Sequence, residues 1–169
     1  MTESWIFISN MIKLKFLIED FVRVEKSSEG LTTADGESGR GIYFSLSNYP
    51  SMIDYYRKNS GSEYRVIKAI PKSGSEIIDL SSGENLKCLI VFLKQEISAL
   101  SKRNPGYILP KITASGYQRF GRLIQDYIRQ YYPNADAYIV NHQADNSSLP
   151  KGKQLVIIDN HAFDYEEIQ

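Results

Sequence analysis

Gly39-Arg40-Gly41-Ile42-Tyr43-Phe44-Ser45 is the stretch on which the reading of this chain turns. From Gly41 to Leu46 (GIYFSL) apolar, aromatic and small residues run together between turn formers, which predicts a strand. Before it, Lys26 to Arg40 is rich in Ser, Thr, Gly, Asp and Glu and poor in apolar residues. That segment reads as a loop of about 15 residues, long enough to serve as a ligand-covering lid. After it, Tyr49 to Asn59 (YPSMIDYYRKN) reads as a short helix with Pro50 in its first turn, where a missing N–H is tolerated.

The elements further out follow from periodicity and punctuation. Ser4 to Ser9 (SWIFIS) predicts a first strand turning at Asn10. Met11 to Val24 alternates over Ile12, Leu14 and Phe16, then shifts to helical spacing over Leu17, Phe21 and Val24, so it reads as a short helix or a strand-helix pair. Glu63 to Ile70 and Ile77 to Leu80 predict strands. Ser82 is placed to cap a helix from Gly83 to about Lys102, with Leu86, Leu89, Ile90, Leu93, Ile97 and Leu100 on one stripe. Thr113 or Ser115 starts a second helix whose apolar side carries Tyr117, Phe120, Leu123, Ile124, Tyr127, Ile128 and Tyr131, stopped by Pro133. Ala135 to Asn141 and Gln154 to Asp159 predict two strands of a hairpin with a long polar loop, His142 to Lys153. Short strands mixed irregularly with helices point to an α+β fold in a single domain over residues 1–169.

Composition narrows the function classes. Lys plus Arg and Asp plus Glu number 20 each, so no net field draws the chain to nucleic acid or an anionic membrane. Cys88, the one cysteine, lies in an apolar run and reads as a buried thiol, in keeping with a cytoplasmic protein of its own cell or of a host cell. The N-terminus lacks a basic segment followed by a long apolar one, and no stretch approaches the about 18 apolar residues of a membrane span. There is no GxxxxGK[ST], HExxH or CxxC, and the two histidines, His142 and His161, have no neighbours at metal-ligand spacing, which disfavours P-loop and metal chemistry. The glycines between Gly36 and Gly41 do not open a helix directly after a strand, so a dinucleotide-binding Rossmann turn is also disfavoured.

GRGIYFS at 39–45, followed by a helix carrying Ile53-Asp54-Tyr55-Tyr56, resembles the ADP-ribosyltransferase superfamily in its poly(ADP-ribose) polymerase-like and diphtheria-toxin-like branch. There a polar loop leads into a G-[KR]-G-[IV]-Y-F-[AS] strand. Near the C-terminus, Lys151-Gly152-Lys153-Gln154-Leu155-Val156-Ile157-Ile158-Asp159 is similar to the family's last core strand, N-E-Y-[IV]-[VI]-[YF]-D, whose first acidic residue is catalytic. The resemblance implies a split β-sandwich with flanking helices and NAD as substrate. It implies that Tyr43 is the strand tyrosine, Ser51 the small hydroxyl residue on the next helix, and Tyr55 or Tyr56 a second ring stacking on the cationic nicotinamide. Gly41 belongs to the same motif, and Arg40 is suited to pair with the pyrophosphate.

Two positions depart from the family. The expected first strand, Trp5 to Asn10, has no histidine or arginine for the ribose, leaving Ser9 or Asn10 to hydrogen-bond the ligand, with His142 as a replacement from the other end of the chain. The catalytic glutamate falls on Gln154, which can bond a ribose hydroxyl but carries no charge. Asp145, in the preceding loop, is a carboxylate available to act as general base. The resemblance implies a small bacterial or phage mono-ADP-ribosyltransferase, a toxin, effector or counter-defence protein, modifying a macromolecule, a protein ahead of a nucleic acid. NAD hydrolysis and a catalytically inactive binding module or inhibitor are the alternatives.

Overall fold

The computed structural model of the protein describes residues 21–28, 30–47, 49–106, 110–142 and 151–168. Over these it is a mixed structure of three α-helices and a curled eight-stranded sheet. The elements are β1 (Phe21–Lys26), β2 (Ala34–Gly36), β3 (Gly39–Leu46), α1 (Pro50–Ser60), β4 (Tyr64–Pro71), β5 (Ile77–Asp79), α2 (Gly83–Arg103), α3 (Gly121–Tyr131), β6 (Ala137–His142), β7 (Gly152–Ile157) and β8 (Phe163–Glu167). The strand order is β5-β6-β7-β3-β1-β4-β8, with β2 attached to β3. The β5–β6 pair is parallel and the others are antiparallel.

The GRGIYFSL strand occupies the centre because both of its faces find a core. Ile42, Phe44 and Leu46 join Phe21, Leu155 and Phe163 in a cluster drawn from β6 through β8, which the sheet closes by curling. Tyr43, on the opposite face, packs towards a second cluster in which Tyr138, Val140 and Val156 meet Leu89 and Leu93 of α2 and Ile124 and Ile128 of α3. Helix α1 covers the same face further along, setting Ile53 on Val22 and Val66.

Gly41 is fixed by close approach. A Cβ there would lie 2.5 Å from Val156 Cγ1 and 2.7 Å from the Ile157 carbonyl oxygen, inside van der Waals contact. Gly121, at the start of α3, lies against the β2–β3 turn in the same way: a Cβ would meet the Gly39 nitrogen and the Glu37 carbonyl, to which Gly121 N–H donates at 3.0 Å. Tyr138 Oη donates to the Ser38 carbonyl at 2.6 Å, so the turn is docked on both α3 and β6.

Among the described residues β1 and β3 share a short register. β1 and β3 are in register at Phe21↔Leu46 and Val22↔Ser45, after which β1 follows β4 as far as Lys26↔Tyr64 while β3 follows β7. The strands therefore fork. Arg23, the first residue past the fork, reaches back with Nη1 3.4 Å from the Tyr43 carbonyl oxygen. Glu25 holds this guanidinium from behind: its carboxylate, 1% exposed, accepts from Arg23 at 2.7 Å and from Arg65 at 2.6 Å.

Several sequence expectations change. Phe21 to Val24 is extended, not helical, because pairing with β4 recruits its β-branched residues. The segment 26–40 contains β2, a hairpin partner of β3 with Asp35 opposite Arg40. The second helix begins at Gly121 after a 3-10 turn at Tyr117–Arg119, since Tyr117 is tied sideways, donating to the Leu80 carbonyl at 2.8 Å and accepting from Asn141 N–H at 3.0 Å. Ser82 occupies the cap position of α2 but its side chain makes no capping bond. Leu100 and Tyr131, placed on apolar stripes, are exposed. β8 was not expected at all. The expected strand at Ser4–Ser9 lies outside the described residues.

Candidate functional site

Strand alternation brings the expected site residues to one face. On β6, His142 lies two residues beyond Val140, and on β7, Gln154 lies two before Val156, both on the side that meets α2 and α3. Register sets Gln154 between Val140 and Ser45, one step along from the Tyr138–Val156–Tyr43 row. Helix α1 adds Tyr56, because its packing on β1 turns that residue towards the start of β7.

The centre is a short polar chain. Gln154, buried at 7% exposure, donates from Nε2 to Tyr56 Oη at 3.2 Å, and Tyr56 Oη lies 3.5 Å from His142 Nε2, long for a hydrogen bond. Burial lowers the His142 pKa below its ordinary value, partly offset by the Glu37 charge, so the imidazole is neutral at pH 7. Which of the two groups donates depends on the imidazole tautomer. Burial also raises the Tyr56 pKa, keeping its hydroxyl protonated. Gln154 is thus a nearly buried side-chain amide whose Nε2 is held by Tyr56.

Around this centre the other expected residues fall unevenly. Tyr55 packs edge-on to Tyr56, ring centroids 5.4 Å apart at 81°. Tyr43 is half-buried with its hydroxyl donated to the Gly39 carbonyl, and burial pushes its pKa up to about 12. It is a wall of the site, tied into the β2–β3 turn. Ser51 is exposed in the first turn of α1. Arg40 is exposed, alternates with Ile42 onto the face opposite Tyr43, and its carbonyl accepts from Gln125 Nε2 at 2.8 Å. Gly41 is accounted for by its approach to β7. Ser9, Asn10 and Asp145 lie outside the described residues.

Two residues were missed. Arg23 was concealed by the helical reading of Met11 to Val24, although it stands on the strand that pairs with β3. Glu37 was lost in the polar loop; its charge acts on Tyr43, Tyr56 and His142, which come from three different elements. Among the described residues no group of three or more His, Cys, Asp or Glu is arranged to hold a metal ion. Comparison with protein-family models, curated proteins and solved structures returns no match.

Proposed function

We propose that the chain is an ADP-ribosyltransferase-like protein that takes NAD as substrate and transfers ADP-ribose to a macromolecular acceptor, a protein ahead of a nucleic acid. The observation that carries this reading is the meeting of Gln154, Tyr56 and His142 on one face beside the fork between β1 and β3. The pairing of the GRGIYFS strand with the Gln154 strand at the centre of the curled sheet supports this reading.

The residues fit the substrate chemically. Gln154 Oε1 accepts from a ribose hydroxyl, the Tyr56 ring offers its face to the cationic nicotinamide, and neutral His142 keeps Tyr56 oriented. Arg23, on the strand next to β3, takes the place of the ribose or phosphate ligand that Trp5 to Asn10 lacks. Breaking the bond between ribose C1′ and the nicotinamide nitrogen sends the electron pair to the ring, which leaves neutral. Positioning is the main contribution of such a site.

The second reading, an NAD-binding module without catalysis, is favoured by the neutrality of the Gln154–Tyr56–His142 chain. Incubating the purified chain with NAD, alone and with cell lysate, and measuring free nicotinamide and labelled acceptor separates the two. We expect release in wild type, lowered at least tenfold in Gln154→Ala and Tyr56→Phe, on the order of what one positioned polar group contributes. Binding of NAD with no release in either condition supports the module, and no binding at all removes both readings.

A further inference from the structure

Glu25 is a carboxylate with almost no access to solvent, and two arginines share it. Its Oε2 accepts from Arg23 Nε at 2.7 Å, and its Oε1 accepts from Arg65 Nη2 at 2.6 Å and Nε at 3.0 Å. Two guanidiniums on one buried carboxylate leave a positive charge over. Glu167 stands 3.6 Å from Arg65 Nη1 and is 57% exposed, so it offsets that charge weakly and from the side of the other arginine. We propose that Glu25 holds Arg23 as the receptor for a phosphate group of a diphosphate ligand, at the fork between β1 and β3. That the ligand is NAD rests on the reading given above; the phosphate site does not.

Arg23 commits Nε to Glu25 and reaches the Tyr43 carbonyl oxygen with Nη1 at 3.4 Å, a long contact, while Nη2 makes no bond among the described residues. The side chain keeps 19% of its surface open. The end of the guanidinium formed by Nη1 and Nη2 therefore has donors to give, and their planar pair matches two oxygens of a phosphate. Burial of the carboxylate matters to this, because a hydrogen bond screened from water fixes the plane of the group more firmly than an exposed one. Register supplies the placement. Val22, just before Arg23, pairs with Ser45, and Ser45 pairs with Gln154. Two strand spacings, about 10 Å, thus separate β1 from the Gln154 strand, and the guanidinium shortens the path by reaching back to β3. The ribose with its 5′ phosphate covers such a path, so a ring at Tyr56 and a phosphate at Arg23 can belong to one molecule.

Calorimetric titration of the full chain with inorganic pyrophosphate, with sulfate at matched ionic strength and with NAD tests this. Pyrophosphate should bind at least about tenfold more tightly than sulfate and should compete with NAD. Arg23→Gln should weaken pyrophosphate and NAD alike by at least about tenfold, the scale of one charge-assisted contact. Arg129→Gln, which removes an exposed arginine on α3, should leave both affinities unchanged. Should Arg23→Gln fail to fold, Arg23→Lys keeps the charge without the planar donors and should still lose at least about fivefold. Glu25→Gln raises the local positive charge and releases the hold on Arg23, so pyrophosphate affinity should fall by at least about threefold. An affinity that stays or rises in that variant would show that charge alone gathers the anion, and overturns the role of Glu25. No binding of pyrophosphate by wild type, equal binding of sulfate, wild-type affinity in the Arg23 variants, or NAD binding that ignores pyrophosphate overturns the proposal. Pyrophosphate binding that depends on Arg23, with no binding of NAD, keeps the phosphate site and removes the NAD reading.

Discussion

At position 154 a side-chain amide sets the polarity of everything it touches. It donates to Tyr56, whose hydroxyl lies beside His142, and the imidazole stays neutral because burial disfavours its charged form. Placing a carboxylate there reverses the balance: an anion within reach of the ring favours imidazolium. Gln154→Glu should therefore move the His142 pKa upward from its lowered value, read by titrating the histidine resonances by NMR; a pKa that stays where it was would show that the two side chains do not communicate. The resemblance implied this residue, with Tyr55 or Tyr56 and His142, as parts of one site, but the contact that joins Gln154 to Tyr56 was not legible. Tyr56 sits 98 positions away in sequence, and nothing in either segment announces that α1 lays its ring over β7. Glu37 was hidden for a related reason, since a polar stretch looks the same whether it floats or is docked by its main chain.

Among elements, β3 was the best read and β1 the worst, and the difference is physical. GIYFSL is short, dense in aromatic and β-branched residues and bounded by glycine and serine, so its local preference and its tertiary setting agree. FVRVEK has an ambiguous local pattern that becomes a strand only when β4 pairs with it along its whole length. A short strand such as β2, exposed and with glycine at its end, carries almost no signal of its own. The glycines of the GRG motif explain part of the first match by packing alone. Gly41→Ala should destabilise the fold by about 1–3 kcal/mol, because the added methyl meets a backbone carbonyl that cannot swing away. Gly30, with open space around it, should accept alanine within about 0.5 kcal/mol. Chemical denaturation of both variants checks the contrast, and equal effects would mean that β3 and β7 are less closely packed than described.

For the whole molecule, the described residues include no helix long and apolar enough to cross a membrane. Tyrosine contributes to the interior: burial raises the pKa of half-buried Tyr43 to about 12 and also pushes that of the core residues Tyr117, Tyr127 and Tyr138 upward. Each of these phenols releases its proton later in the folded chain than in the unfolded one. Their contribution is therefore complete below about pH 10, the ordinary tyrosine value, and is lost as pH rises through the folded values. Stability measured by denaturant should fall steeply from pH 10 to pH 12, less so in Tyr43→Phe; a flat profile over that range would contradict the burial of these hydroxyls. The fork between β1 and β3 has a mechanical side as well. Among the described residues two pairs, Phe21↔Leu46 and Val22↔Ser45, join β1 to β3, and past Val22 the two strands part. Beyond Val22 the contact that crosses between them is a side chain, Arg23 to the Tyr43 carbonyl, so a single substitution is enough to remove it.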